Sequence, residues 1–169
     1  MRIYLIGMPG SGKSTLAEEL STLLSLPFYD MDTEIEEREK KSIPEIFTEK
    51  GEDYFRKVEK EVVQTFLPDN SILATGGGAP CFFDNMDFML ENGETVFVDV
   101  HEDVLVERVW QQQGTRPLLA QNEKEEVYNA IKEKRESRLP YYSKAEFTIE
   151  AGTKTPSELA LEIKEVLKK

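Results

Sequence analysis

The sequence predicts a three-layer α/β fold, a five-stranded parallel sheet with helices on both faces. Three observations predict it. Apolar runs of strand length alternate along the chain with amphipathic helical patterns. Two of the runs, at 71–75 and 95–100, are dominated by β-branched residues and read as strands buried on both faces. A glycine-rich stretch, "GMPGSGKST" at 7–15, joins the first run to the first helical pattern.

The elements follow in order. Residues 2–6, "RIYLI", are β-branched and aromatic, and Gly7 ends them. From Lys13 onward Leu16, Leu20, Leu23 and Leu24 recur at helical spacing. "PFYDM" at 27–31 is a second strand, and "TEIEEREKK" at 33–41 a charged helix. "SIPEIF" opens another helix with capping-box spacing from Ser42 to Glu45. "SILAT" at 71–75 and "TVFVDV" at 95–100 are buried strands, and "EFTIE" at 146–150 is the fifth. The last helix starts at Thr155 as cap, with Pro156 in its first turn and Glu158 three residues on. Residues 111–124 carry Gly114 and Pro117 between two helical patterns, and a polar loop of this length is read as a mobile lid. Residues 1–169 form one domain, with neither a repeat nor a linker.

Composition narrows the function. The formal net charge is −12, from 33 acidic and 21 basic residues, which argues against a general nucleic-acid binder. An anionic ligand then requires the few cations to be concentrated in one site. One cysteine and one histidine leave no disulfide within the chain, no cysteine metal cluster and little basis for zinc or triad chemistry. The short apolar run at the N-terminus does not read as a signal peptide, and no apolar stretch approaches membrane-spanning length. The expectation is a soluble cytoplasmic protein with no membrane or nucleic-acid partner.

Gly7, Gly12, Lys13 and Ser14 satisfy G-x-x-x-x-G-K-[ST], after a strand and before a helix. This makes the fold one of the P-loop NTPase type. The N–H groups of Gly10, Ser11, Gly12, Lys13, Ser14 and Thr15 would cradle the phosphates of ATP. Lys13 would reach the β- and γ-phosphates, and the Ser14 hydroxyl would hold Mg²⁺. The loop does not name the phosphoryl acceptor. The guanine-reading N-K-x-D string of a GTP switch is absent, whereas small-molecule kinases fit the length and the lid.

Four clusters bear on the acceptor. Asp30 and Asp32 end the second strand, where ligands of parallel sheets bind. Spacing i, i+2 puts both on one side of an extended chain; a helix N-cap is the competing use. Gly76, Gly77 and Gly78 follow the strand at 71–75, and close backbone approach to a ligand explains them better than a simple turn. Arg56 lies among acids, where a surface ion pair is the plain alternative. Arg116 in the lid and Arg138 before Pro140 each read alone as a surface charge, though an arginine in a mobile loop can close over a transferring phosphoryl group.

Taken together these residues resemble the shikimate kinase family over nearly the whole chain. The resemblance rests on "GMPGSGKST", "FYDMD", "SIPEIF", "GEDYFR", "ATGGGAP", "RPLL" and the R-x-P-x-Y of Arg138, Pro140 and Tyr142, in the family's order. It implies transfer of the ATP γ-phosphate to the 3-hydroxyl of shikimate by a monomer. Asp32 would bind the shikimate hydroxyls and act as base, and Asp30 would meet Mg²⁺ through water. Arg56 and Arg138 would hold the substrate carboxylate, and Gly76–Gly78 would approach shikimate by their backbone. Arg116 would serve as the lid arginine near the phosphates, and Arg108 would stack on adenine. The helical region 32–66 would then be the substrate-binding part. Pro9 and Ala17 depart from the residues common in the family's loop.

Of the remaining residues, His101 reads as a loop or cap residue and Trp110 as packing. Cys81 reads equally as a buried thiol or a reactive one near the glycine run. The acidic stretch 34–61 reads as a solvated helical face.

Overall fold

The structure, a computed structural model, describes residues 1–113 and 121–169. Five strands, β1 (Arg2–Ile6), β2 (Phe28–Asp30), β3 (Ser71–Ala74), β4 (Glu94–Asp99) and β5 (Phe147–Glu150), form one sheet in the order β2-β3-β1-β4-β5. Every pairing is parallel. The chain crosses from β1 outward to β2 and β3, then back past β1 to β4 and β5. Such an order opens a crevice at the carboxyl ends of the strands, on either side of β1. The loop after Ile6 and the end of β3 at Ala74 both open onto it.

Among the described residues seven α-helices accompany the sheet: α1 (Lys13–Leu24), α2 (Met31–Glu39), α3 (Ile43–Glu61), α4 (Asn85–Asn92), α5 (Glu102–Gln113), α6 (Gln121–Tyr142) and α7 (Pro156–Leu167). The core is continuous. Ile3, Leu5, Ile72, Leu73, Val96 and Val98 from the central strands are 0–1% exposed, packed with Leu16, Leu20 and Ile163 from α1 and α7. The caps form as their spacing predicts. The Ser42 hydroxyl accepts from Glu45 N–H at the start of α3. At α7 the Thr155 side chain accepts from Glu158 N–H, and the Glu158 carboxylate reciprocates.

Three expected boundaries move. The second strand stops at Asp30, and the charged helix begins at Met31 rather than at residue 33, because the Asp30 side chain caps it by accepting from Thr33 N–H. Residues 111–113 of the expected lid belong to α5 and residues 121–124 to α6; 114–120 lie outside the described residues. A short 3₁₀ turn, Ala79–Cys81, and α4 follow the glycine run, where the sequence reading assigned no element. α3 is also broken. Gly51 sits at φ 83°, ψ 172°, a conformation that side chains with a Cβ rarely adopt, so Ile43–Lys50 and Glu52–Glu61 form two arms. The second arm carries Arg56, and a single π-helical turn at Val62–Phe66 extends it.

Candidate active site

The donor side grows out of β1. Beyond Ile6 the backbone curls through left-handed conformations at Gly10 (φ 80°) and Gly12 (φ 85°) before Lys13 opens α1. Lys13 is 7% exposed. Its ammonium donates to Gly7 O and Met8 O, both at 2.8 Å, and to Ser11 Oγ at 3.2 Å. Burial pushes the Lys13 pKa down to about 8, although Asp32 and Asp30 pull it back upward. The loop therefore satisfies its own cation with its own oxygens. The Ser14 hydroxyl donates to Asp30 Oδ2, so the hydroxyl expected to hold Mg²⁺ and the acidic residue expected beside it are brought together.

A cavity of about 550 Å³ lies outside this loop, lined by Gly10, Gly12, Thr15, Arg108, Lys154 and Pro156 among others. Arg108 Nη1 donates to Gly10 O at 2.8 Å, which fixes the arginine on the loop. Lys154 and Pro156 were not singled out from the sequence. Pro156 reads there only as a helix-start residue, and its place in the cavity wall depends on α7 packing against α1.

A second cavity, about 300 Å³, is lined by Lys13, Ser14, Asp30, Asp32, Thr75 and Gly76 among others, and it shares Gly10, Gly12 and Thr15 with the first. Asp32 is not on an extended chain beside Asp30, as the i, i+2 spacing suggests. It stands in the first turn of α2 with Asp30 as the cap. Both carboxylates still face one cavity, because the cap residue and the first turn share one end of the helix. Surrounding protein raises the Asp32 pKa, and neighbouring Asp30 raises it further against the pull of Lys13. A carboxylate raised in this way is a stronger base.

A third cavity, about 270 Å³, continues from the second through Pro9, Asp32, Gly76 and Gly77, and adds Phe47, Arg56, Glu59, Gly78 and Arg138. Here the glycine run has an unexpected reason. A Cβ on Gly78 would come within 2.5 Å of Arg56 Nη1. One on Gly77 would meet Pro9 Cδ at 2.5 Å and Arg138 Nη1 at 2.9 Å, and one on Gly76 would meet Glu59 Oε2 at 2.9 Å. The run lets three charged side chains of this chain converge on bare backbone.

Arg56 is no surface charge. Its Nη1 donates to Glu59 Oε1 at 2.9 Å, Nε and Nη2 face Glu52 Oε1 at 3.4 Å, and its guanidinium lies 4.0 Å over the Phe82 ring. Glu59 is 1% exposed, which corrects the reading of 34–61 as wholly solvated. Burial raises the Glu59 pKa, and Arg56 opposes the shift. Arg138 complements this pair. Its Nη1 is buried without a hydrogen-bond partner among the described residues, an open donor in a pocket wall. One turn later on α6, buried Tyr142 donates its hydroxyl to Gly77 O at 2.5 Å, locking the helix to the glycine run. Its pKa is raised by burial.

The remaining sites resolve simply. His101 accepts from Asp103 N–H at 3.2 Å through Nδ1, a cap for α5. Cys81 is partly buried, and burial pushes its thiol up to about 11, so it is a poor nucleophile. Lys124 lies 5.9 Å over the Trp110 ring, a packing contact between α5 and α6. Arg116 lies outside the described residues.

The shikimate kinase family model matches residues 9–168. The chain belongs to this family. A shikimate kinase of Bacteroides thetaiotaomicron is 42% identical over 152 residues, covering 89% of this chain and 87% of the relative. One of Aquifex aeolicus is 43% identical over 164 residues, covering 96% and 94%. The solved structure of an Acinetobacter baumannii shikimate kinase in complex with shikimate has a TM-score of 0.87 at 30% identity, covering 99% of this chain and 92% of that one. Both the resemblance and the fold class expected from the sequence are thus borne out for a shikimate kinase. Of the residues expected at its site, Lys13, Ser14, Asp30, Asp32, Arg56, Gly76–Gly78 and Arg138 line the second and third cavities, and Arg108 lines the first.

Proposed function

We propose that the chain transfers the γ-phosphoryl group of ATP to the 3-hydroxyl of shikimate, giving ADP and shikimate 3-phosphate, a step of chorismate and aromatic amino-acid biosynthesis. One observation carries the residue-level reading. Three cavities share walls in sequence, from Arg108 and Pro156, through Lys13 and Asp32, to Arg56 and Arg138. A nucleotide and a carboxylated polyol laid along this cleft meet beside Asp32.

The roles follow from the chemistry. The backbone of residues 10–15 and the Lys13 ammonium hold the phosphates, with the base between Arg108 and Pro156. The open Nη1 of Arg138, and Arg56 beside it, suit a carboxylate, which planar guanidinium groups bind in two-point fashion. Asp32 orients the hydroxyls and accepts the proton as the 3-oxygen bonds to phosphorus and the bond from phosphorus to the departing ADP oxygen breaks. The resemblance gives Arg116 the task of meeting charge on the moving phosphoryl group.

Mg²⁺ suits the donors present. Ser14 Oγ and the Asp30 carboxylate are hard oxygens held together. Among the described residues no group of three or more metal-ligating side chains forms. That fits a cation held by one or two protein oxygens, water and substrate phosphates. Magnesium bound there would neutralise phosphate charge.

We take a monomer, as the family resemblance implies, for the working unit. Among the described residues no helix is long and apolar enough to cross a membrane, and we place the reaction in the cytoplasm. A coupled assay of ADP release tests the function. ADP release from ATP should require shikimate and give one shikimate 3-phosphate per ADP. Turnover that ignores shikimate, or that another hydroxy acid supports better, would overturn the reading.

A further inference from the structure

We propose that Arg135 is a positioning residue for Arg138, holding α6 at the working distance from the acceptor pocket. Arg135 lies one turn before Arg138 on α6. Its Nη2 donates to Asp99 Oδ1 at 2.6 Å, and its Nη1 stands 3.7 Å from Glu102 Oε2. The arginine side chain is 17% exposed and its partners 25% and 18%, so this is a sheltered charged junction rather than a solvated surface pair.

Asp99 is the last residue of β4, and its neighbour Val98 presents the carbonyl that crowds Gly7 of the phosphate loop. Glu102 opens α5, the helix that carries Arg108 to Gly10. Arg135 therefore ties the acceptor helix to the strand and helix that frame the donor loop.

The need for such a tie is local. Pro140 lies inside α6 and has no N–H to donate to the carbonyl four residues back, so the turn that bears Arg138 is weakened. Two anchors bracket this turn: Arg135 on Asp99 before it, and Tyr142 on Gly77 after it. With the Arg135 anchor removed, the Arg138 guanidinium loses its fixed distance from Gly77 and Arg56. An error of about 1 Å at a substrate-orienting group costs up to about 10²-fold.

The inference rests on Arg138 as a carboxylate ligand, and the experiment separates the two. Steady-state kinetics of Arg135→Met, Arg135→Lys, Asp99→Asn, the Arg135→Met/Asp99→Asn double variant and Arg138→Met are compared with nucleotide binding and Tm. Arg135→Met should raise the KM for shikimate about 10-fold, with kcat changed less than about 3-fold and nucleotide Kd unchanged. Arg135→Lys should recover part of the loss, and the double variant should be no worse than Arg135→Met alone. An unchanged shikimate KM in Arg135→Met overturns the proposal. So does a loss shared equally by shikimate and nucleotide with a lowered Tm, since that marks a merely structural pair. If Arg138→Met also leaves shikimate KM unchanged, the carboxylate assignment itself is wrong; if only Arg138→Met raises it, this proposal alone fails.

Discussion

The phosphate loop draws its parts from nine consecutive residues, 7–15, whereas the acceptor pocket draws on four distant segments: Asp32, Arg56 with Glu59, Gly76–Gly78 and Arg138. The loop offers backbone N–H groups and one lysine, and its geometry follows from where glycine stands. The pocket offers side chains, and its geometry follows from what packs against what. The donor half is thus a local property of sequence and the acceptor half a tertiary one. A single substitution should strike one half and spare the other wherever the two share no wall.

The largest effect is expected at the donor half. Lys13→Met removes the ammonium that we propose meets the phosphates and should lower kcat by about 10³-fold, measured by ADP release. A loss under 10-fold would mean that the loop backbone suffices. Next comes the junction. Asp32→Asn should lower kcat by about 10²-fold. Relief from a raised pKa means that Tm should hold or rise slightly. Retained kcat would move the proton elsewhere.

Third is the purest test of the comparison. In Gly78→Ala the new methyl would stand 2.5 Å from Arg56 Nη1, so the KM for shikimate should rise about 10-fold while nucleotide Kd stays put. Gly77→Ala should not be so selective, since its methyl meets Pro9 of the phosphate loop as well as Arg138. Identical profiles for the two variants would break the division.

The smallest effect is in pH dependence. Only protonated Lys13 attracts phosphate, so kcat/KM for ATP should fall as pH rises through about 8. Folding stability should move the other way. Below about 8 the native state holds a buried charge that the unfolded chain solvates freely. Between about 8 and the ordinary 10.5 the unfolded state binds more protons, and this group's contribution to stability rises with pH. Lys13→Met should abolish both trends; a flat ATP profile in the parent chain would refute the lowered pKa.

What the sequence made legible follows the same division. Strand order aside, the alternating apolar runs gave all five strands within a residue or two, and the loop motif put Lys13 and Ser14 on one cavity wall. Asp30 and Asp32 were found, but their geometry was misread, because a cap and a first turn mimic an extended pair when only spacing is visible. Glu59 was missed altogether. In a stretch with ten acids among residues 34–61 nothing marks the one that burial selects; the only signal was Arg56 three residues before it, on the same helical face. Arg135 and Asp99 were equally invisible, since 36 residues separate them and neither belongs to a motif. The glycine run pointed to the right place for an incomplete reason: its bareness also accommodates the protein's own arginines and glutamate.

The two arginines of the acceptor pocket differ in what they leave behind. Glu59 is 1% exposed and leans on Arg56. A chain that loses Arg56 strands a buried carboxylate, and such a stranded charge costs several kcal/mol. Arg138 offers an uncommitted nitrogen. Mutational drift at Arg56 would therefore register as reduced abundance in the cell, through clearance of unfolded copies, before any defect in turnover was noticed. Drift at Arg138 would pass that inspection and surface only as a starved product pool.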